Sequence, residues 1–166
     1  MKKFYSVLCV VFVLFLALEI ANAASKELFK IERSLNANIV EYDVVLNDDG
    51  TINAKDPIDA YWVLLAKNGQ REELSIFQKQ AYGYSVKKDA NGNYTLTLKP
   101  KQVKNKPITI VFVNGQPKAK VDINGKPAYL SRVYVATKGS MSVDYIRLDG
   151  QDIASGQNVE ERISGD

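Results

Sequence analysis

Ile108-Thr109-Ile110-Val111-Phe112-Val113-Asn114-Gly115-Gln116-Pro117-Lys118-Ala119-Lys120-Val121-Asp122-Ile123-Asn124-Gly125-Lys126-Pro127-Ala128-Tyr129-Leu130 is the stretch that decides the fold. Two Asn-Gly pairs cut it into three short strand-like runs, the first rich in β-branched residues. Asn and Gly tolerate positive φ, so a two-residue Asn-Gly loop favours a tight hairpin. In the middle run, Val121 and Ile123 alternate with Lys120 and Asp122, which marks a strand with one apolar and one wet face. Three consecutive antiparallel strands follow from these residues alone.

The same grammar extends in both directions. Tyr94, Leu96 and Leu98 alternate with Thr95, Thr97 and Lys99, while Asn91-Gly92 and Lys138-Gly139-Ser140 supply slightly longer hairpin loops. The pattern predicts six sequential antiparallel strands over residues 84–88, 93–99, 108–113, 117–123, 128–136 and 141–148. Upstream, Val40, Tyr42, Val44 and Leu46 alternate with Glu41, Asp43 and Asn47, giving a strand over 39–46, and a further strand is expected over 58–67. One short helix is expected over 72–80, where Leu74 and Phe77 stand three apart and Glu72 and Glu73 fill a first turn that favours acids. The expected fold is all-β: an antiparallel meander of about eight strands forming a small barrel, or a two-sheet β-sandwich, with one short helix.

The chain opens with Lys2 and Lys3, continues through an uncharged apolar block from Phe4 to Leu18, and reaches the small-x-small sequence Ala21-Asn22-Ala23. A cationic start, a short apolar middle and a small-residue end constitute a signal peptide over residues 1–23. The block falls short of the roughly 20 residues a membrane span needs, so no transmembrane segment is expected after cleavage. Residues 24–166 then form a single β-rich domain, exported to the periplasm or secreted. Cys9 is the one cysteine and lies inside the leader, and the chain has no histidine. The mature protein therefore has no disulfide, no thiolate or histidine catalysis and none of the usual soft metal ligands. No metal and no cofactor are expected.

Several segments taken together, Lys30-Ile31-Glu32-Arg33-Ser34, Asn36, Asn38, Asp56-Pro57-Ile58-Asp59-Ala60-Tyr61-Trp62, Arg71-Glu72-Glu73-Leu74 and Ala81-Tyr82-Gly83-Tyr84, resemble a bacterial exported family known as domain of unknown function 4833. The resemblance spans nearly the whole mature chain. It implies a single exported domain and carries over no catalytic residue.

Chemistry must then be weighed residue by residue. Asp59 shares strand parity with Tyr61, Val63 and Leu65, and Arg132 shares parity with Leu130, Tyr134 and Ala136. A charge on an apolar face is costly unless paired or wet, so three readings stand: a mutual ion pair, positions at a strand end, or polar anchors in a ligand cavity. Tyr61, Trp62, Tyr82, Tyr84 and Tyr134 combine a ring with a polar tip, which suits either the wall of a binding site or an ordinary β core. The local carboxylate pairs, Asp56 with Asp59 and Glu72 with Glu73, are the only candidates for hydrolytic chemistry, and turn formation and helix-start electrostatics already explain them.

Charge is distributed unevenly. Lys79 to Lys138 holds twelve basic residues against Asp89 and Asp122, whereas the rest of the mature chain holds eight basic and sixteen acidic residues. Lys99, Lys101, Lys104, Lys106, Lys118 and Lys120 are the candidates for an anion-attracting surface directed at lipid or glycan; solvated lysines that blunt strand edges are the alternative. Nucleic acid is not an expected partner of an exported chain. The functional expectation is a non-enzymatic module of the cell envelope that binds a small molecule or an envelope partner. A carboxylate-dependent hydrolase and a purely structural component are its rivals, and an open apolar pocket would separate binding from structure.

Overall fold

The computed structural model describes residues 24–139 and 142–165. The expected leader, with Cys9, and Met141 at one expected strand start lie outside the described residues. The alternating sequence forms strands β1 (Ala24–Arg33), β2 (Asn36–Leu46), β3 (Ile58–Leu64), β4 (Gln70–Glu73), β5 (Tyr84–Lys88), β6 (Tyr94–Leu98), β7 (Ile108–Val113), β8 (Gln116–Ile123), β9 (Lys126–Lys138), β10 (Ser142–Asp152) and β11 (Asn158–Ser164). One short helix, α1 (Gln78–Ala81), precedes β5.

The run β5 to β10 is consecutive and antiparallel, as the sequence predicts. Its two tight hairpins place Asn114 and Gly115 at φ 52° and 73°, and Asn124 and Gly125 at 52° and 76°. These left-handed values at both loop positions match the twist of the flanking strands.

Three strands escaped the sequence reading, and one expected helix shrank. Gln70–Glu73 pairs antiparallel with β3, so Glu72 and Glu73 belong to an edge strand, where charged side chains are tolerated. Only Gln78–Ala81 is helical. The strand expected over 58–67 ends at Leu64, because Leu65–Lys67 tightens into a 3-10 turn and Asn68 and Gly69 take φ 55° and 77°. β11 carries Glu160, Glu161 and Arg162, whose charges mask its alternation. β1 lies between two partners, antiparallel to β2 and parallel to β9.

That parallel pairing shapes the molecule. Lys126–Leu130 of β9 pairs with β8, whereas Arg132–Val135 pairs with β1. β10 runs along the other side of β9, and its register slips opposite Ser131, with Gly150 facing Leu130 and Asp149 facing Arg132. This β-bulge inserts one residue and reverses side-chain parity. Leu130 therefore points inward and Arg132 outward, which corrects the expectation that they share a face.

All strands belong to one sheet, in the path β4-β3-β2-β1-β9-β8-β7-β6-β5 with β10 and β11 branching from β9. The path curls into a half-barrel. Its two arms meet across the core, where the Tyr84 hydroxyl on β5 donates to the Ile58 carbonyl on β3 at 2.6 Å. Phe29 and Tyr42 stack at 4.7 Å between ring centres, with Tyr84 edge-on to Tyr42 at 6.0 Å. Val40, Tyr42 and Val44 are wholly buried, as are Leu96, Ala119 and Ile123 from the other arm.

Candidate functional site

The inner face of the half-barrel is not filled throughout. At the end where β1, β9 and β10 run past β8, a pocket of about 360 Å³ remains. Its apolar walls are Ile31 of β1, Val133 and Val135 of β9, Val143 and Ile146 of β10, and Leu98 of β6. The segment after β6 folds over this space: Pro100 and Val103 line it, and Val103 is almost wholly buried. Polar side chains occur as Arg33, Gln80, Gln102 and Thr137. The pocket lies within the size range of small-molecule sites, and apolar walls with a few polar groups are their usual make-up.

Tyr82 links the pocket to the aromatic core. It contributes to the lining, and its ring meets Trp62 edge-on at 5.2 Å. Its backbone carbonyl accepts a hydrogen bond from the Tyr42 hydroxyl. Burial pushes the Tyr42 phenol far above its ordinary range, and the neighbouring tyrosines Tyr84 and Tyr82 add to the shift. The donor therefore keeps its proton at any physiological pH.

The seven nominated ligand-binding residues separate into three places. Trp62, Tyr82 and Tyr84 lie on or against the inner face, and of these only Tyr82 lines the pocket. Asp59 and Tyr61 occupy the outer face of β3. The Arg71 guanidinium stands 2.7 Å from Asp59 and 2.9 Å from Glu73 and stacks over the Tyr61 ring at 3.9 Å. The Tyr61 hydroxyl lies 2.9 Å from both Glu41 and Asp43. Desolvation first, then these two carboxylates, raises its pKa well above the usual phenol value.

Arg132 and Tyr134 occupy the outer face of β9, away from β3. Arg132 donates to Asp149 at 2.7 Å and to Glu32 at 3.1 Å. The bond it donates to Asp149 is the chief reason its pKa is raised. Partial burial alone would raise the Glu32 carboxyl, but Lys30 and Arg132 overcome it and hold the group below the usual carboxylate range. Tyr134 meets Tyr145 at 6.3 Å, with Arg147 over its ring. Asp59 and Arg132 are thus each ion-paired, but with different partners and not with one another. The outer groove beside Arg132 encloses about 660 Å³; of its charges, Lys30, Arg132, Arg147, Asp149 and Glu160 belong to ion pairs on the sheet itself, and Glu27 also lines it.

The nominated lysines also divide. Lys118 and Lys120 point from the outer face of β8. Lys106 is held by Glu161 at 2.7 Å, with Asp122 at 3.6 Å. Lys99, Lys101 and Lys104 lie on the segment that folds over the pocket, and the Lys99 ammonium donates to the Lys79 carbonyl at 3.0 Å.

The sequence reading missed the pocket walls because Ile31, Val133, Val135 and Ile146 look like core residues in any alternating strand. It also paired Phe77 with Leu74, three residues apart, in one helix. Leu74 is buried, but Phe77 and its neighbour Ile76 are each 82% exposed. Among the described residues no helix is long and apolar enough to cross a membrane, and no cluster of acidic side chains is gathered closely enough to hold a metal ion.

Fold and pocket define a curled all-β half-barrel with an apolar recess under a covering loop. The family model described as domain of unknown function DUF4833 matches residues 29–162, from within β1 to within β11, and the chain belongs to that family. No curated protein and no solved structure matches the chain.

Proposed function

We propose that this chain is an exported, non-enzymatic binding domain of the cell envelope that holds a small, largely apolar molecule in the pocket beneath the Leu98–Val103 segment. The observation that carries the reading is the pocket itself. Burying apolar surface drives folding, at about 25 cal/mol per Å², so a recess walled by Ile31, Val133, Val135 and Ile146 forgoes contacts that a filled core would make. A purely structural domain gains nothing from leaving that space open. Hydrolytic chemistry is disfavoured because Asp59 and Glu73, one from each nominated carboxylate pair, both neutralise Arg71. Export rests on the pattern of residues 1–23, and intact-mass measurement on protein from the extracytoplasmic fraction should give a chain beginning at Ala24.

Trp62 is the only tryptophan and touches Tyr82, a pocket wall, so its fluorescence reports occupancy. Titration with decanoate, and separately with anilinonaphthalene sulfonate, should give a saturable change. Val135→Phe, which places a larger ring into the pocket from a half-buried position, should abolish that change while leaving the melting temperature within a few degrees of wild type. A flat titration with both probes, or an identical response from Val135→Phe, overturns the reading.

A further inference from the structure

The pocket rim carries more apolar surface than folding explains. Leu35 closes the turn between β1 and β2, is 86% exposed, and takes φ 64°. Leucine rarely adopts that left-handed conformation, whereas glycine or asparagine adopts it with little strain. The turn is anchored to the rim: Ser34 Oγ lies 3.0 Å from Thr137 Oγ1, and both Arg33 and Thr137 line the pocket. On another side, Ile76 and Phe77 stand one helical turn before Gln80 and Ala81, which also line it. Three exposed apolar side chains therefore flank one opening.

Two of the segments around the pocket carry charge of a single sign. Residues 74–83 and 98–107, the two segments that contribute to the rim beside α1 and after β6, contain five lysines and no acid. Of these, Lys106 is committed to Glu161, and Lys79, Lys99 and Lys104 stand on the segments beside the rim, where the Lys99 ammonium donates to the neutral Lys79 carbonyl. The nearest acids in sequence, Glu72 and Glu73, end β4, and Glu73 is tied to Arg71. Glu41 and Asp59 lie on the outer face of β2 and β3, away from these segments.

We infer that the pocket rim is a docking surface for an anionic lipid bilayer, with Leu35, Ile76 and Phe77 entering the headgroup region, the loop lysines engaging phosphates, and the pocket receiving a single acyl chain from the lipid. The inference rests on the pocket being a ligand site and deepens that reading by naming the ligand as hydrocarbon drawn from a membrane. Apolar side chains supply attachment and lysines supply attraction; anchoring of peripheral proteins ordinarily needs both.

The test is co-sedimentation of protein purified after expression of the full chain, using phosphatidylcholine vesicles with and without phosphatidylglycerol. Wild type should bind the anionic vesicles, and binding should fall steeply as salt rises from about 0.01 M to about 0.15 M, over which the screening length drops from about 30 Å to about 8 Å. The Ile76→Ser/Phe77→Ser double variant should weaken binding about tenfold or more, given the free energy of burying two such side chains. Lys79→Glu/Lys99→Glu should remove the preference for anionic vesicles. Leu35→Asn is the most discriminating variant, because it should raise the melting temperature by relieving strain while lowering vesicle binding.

The Trp62 titration with decanoate in free solution should be unchanged in the Leu35→Asn and Ile76→Ser/Phe77→Ser variants, since none of the replaced residues lines the pocket or carries charge. Decanoate binding without vesicle binding overturns the docking inference and leaves the pocket reading intact. Vesicle binding without decanoate binding overturns the pocket and the acyl-chain assignment together. Equal vesicle binding by wild type and the Ile76/Phe77 variant overturns the docking surface. So does a wild-type dimer that Ile76→Ser/Phe77→Ser dissolves, since it would assign the apolar pair to a second copy of the chain.

Discussion

Tyr42→Phe isolates the hydrogen bond that joins the aromatic core to the pocket wall. The ring of Tyr42 is wholly buried and stacked on Phe29, and phenylalanine keeps that ring, so no cavity opens. What disappears is one donor to the Tyr82 carbonyl. A buried acceptor left without a partner costs about 1–3 kcal/mol. For a domain of this size about 2 kcal/mol corresponds to a fall in melting temperature of roughly 6–10 °C. Thermal unfolding followed by circular dichroism at neutral pH measures it. Tyr84→Phe is the comparison: its hydroxyl also donates to a backbone carbonyl, but the side chain is only partly buried, water can replace the bond, and the loss should be nearer about 1 kcal/mol. The latch also sets the sign of the alkaline response. Because the folded-state pKa of Tyr42 is raised, its contribution is fully present below about pH 10, where unfolded tyrosine ionises, and is lost as pH rises from there towards the folded value. Because Tyr82 lines the pocket, Tyr42→Phe should also weaken decanoate binding at temperatures where the variant remains folded. A melting temperature equal to wild type, with Tyr84→Phe the more damaging change, would refute the latch.

Gly150→Ala should destabilise the domain by about 1–3 kcal/mol through overpacking, since a Cβ there would lie 2.5 Å from the Tyr129 carbonyl oxygen and 2.7 Å from Ile123 Cδ1; denaturant titration checks it. Gly125→Val should cost at least about 1–2 kcal/mol from backbone strain alone, because the position has φ 76° and a Cβ placed there would meet no atom within 4 Å, whereas Gly125→Asn should be nearly neutral. The Glu32 carboxylate is held below its ordinary pKa by Lys30 and Arg132, so its contribution is present above the unfolded value of about 4.3 and is lost as pH falls below it. Arg132→Met should accordingly lower the melting temperature at neutral pH, and the gap from wild type should narrow on acidification towards about pH 3.

The two Asn-Gly turns and the run from β5 to β10 were legible because each depends on a few adjacent residues. Positive φ is a property of the loop residues themselves, and alternation between Tyr94, Leu96 and Leu98 and their polar neighbours needs no distant partner to be read. The same locality explains the failures. Glu72 and Glu73 suit a helix start or an edge strand equally well, and the free edge of β3 decides between them. In β11, three charged residues obscure the apolar positions Val159 and Ile163 that pack against the core.

The candidate site was less legible than the fold. Aromatic residues drew attention as polar-tipped rings, yet Asp59 and Tyr61 face outward beside Arg71 while Trp62 faces inward, because successive residues of a strand point to opposite faces. Arg132 was assigned to the face of Leu130 by the same rule, and the bulge at Ser131 reversed it. One inserted residue flips every side chain beyond it, and nothing in Leu130-Ser131-Arg132 announces the insertion.

By itself, then, the sequence determined the all-β class, the hairpins and the alternation of faces within unbroken stretches of strand, since these follow from short-range periodicity and backbone sterics. Only the tertiary structure decided that Lys30–Arg33 pairs in parallel with Arg132–Val135, about a hundred residues away, and that β9 leaves β8 for β1 midway along its length. The pocket exists because of that departure: beyond Leu130 the sheet turns away from β8, and the Leu98–Val103 segment covers the inner face without filling it. Ile31, Val133 and Ile146 are apolar either way. Whether such residues meet one another or enclose a space depends on pairing between distant strands, which local pattern does not encode.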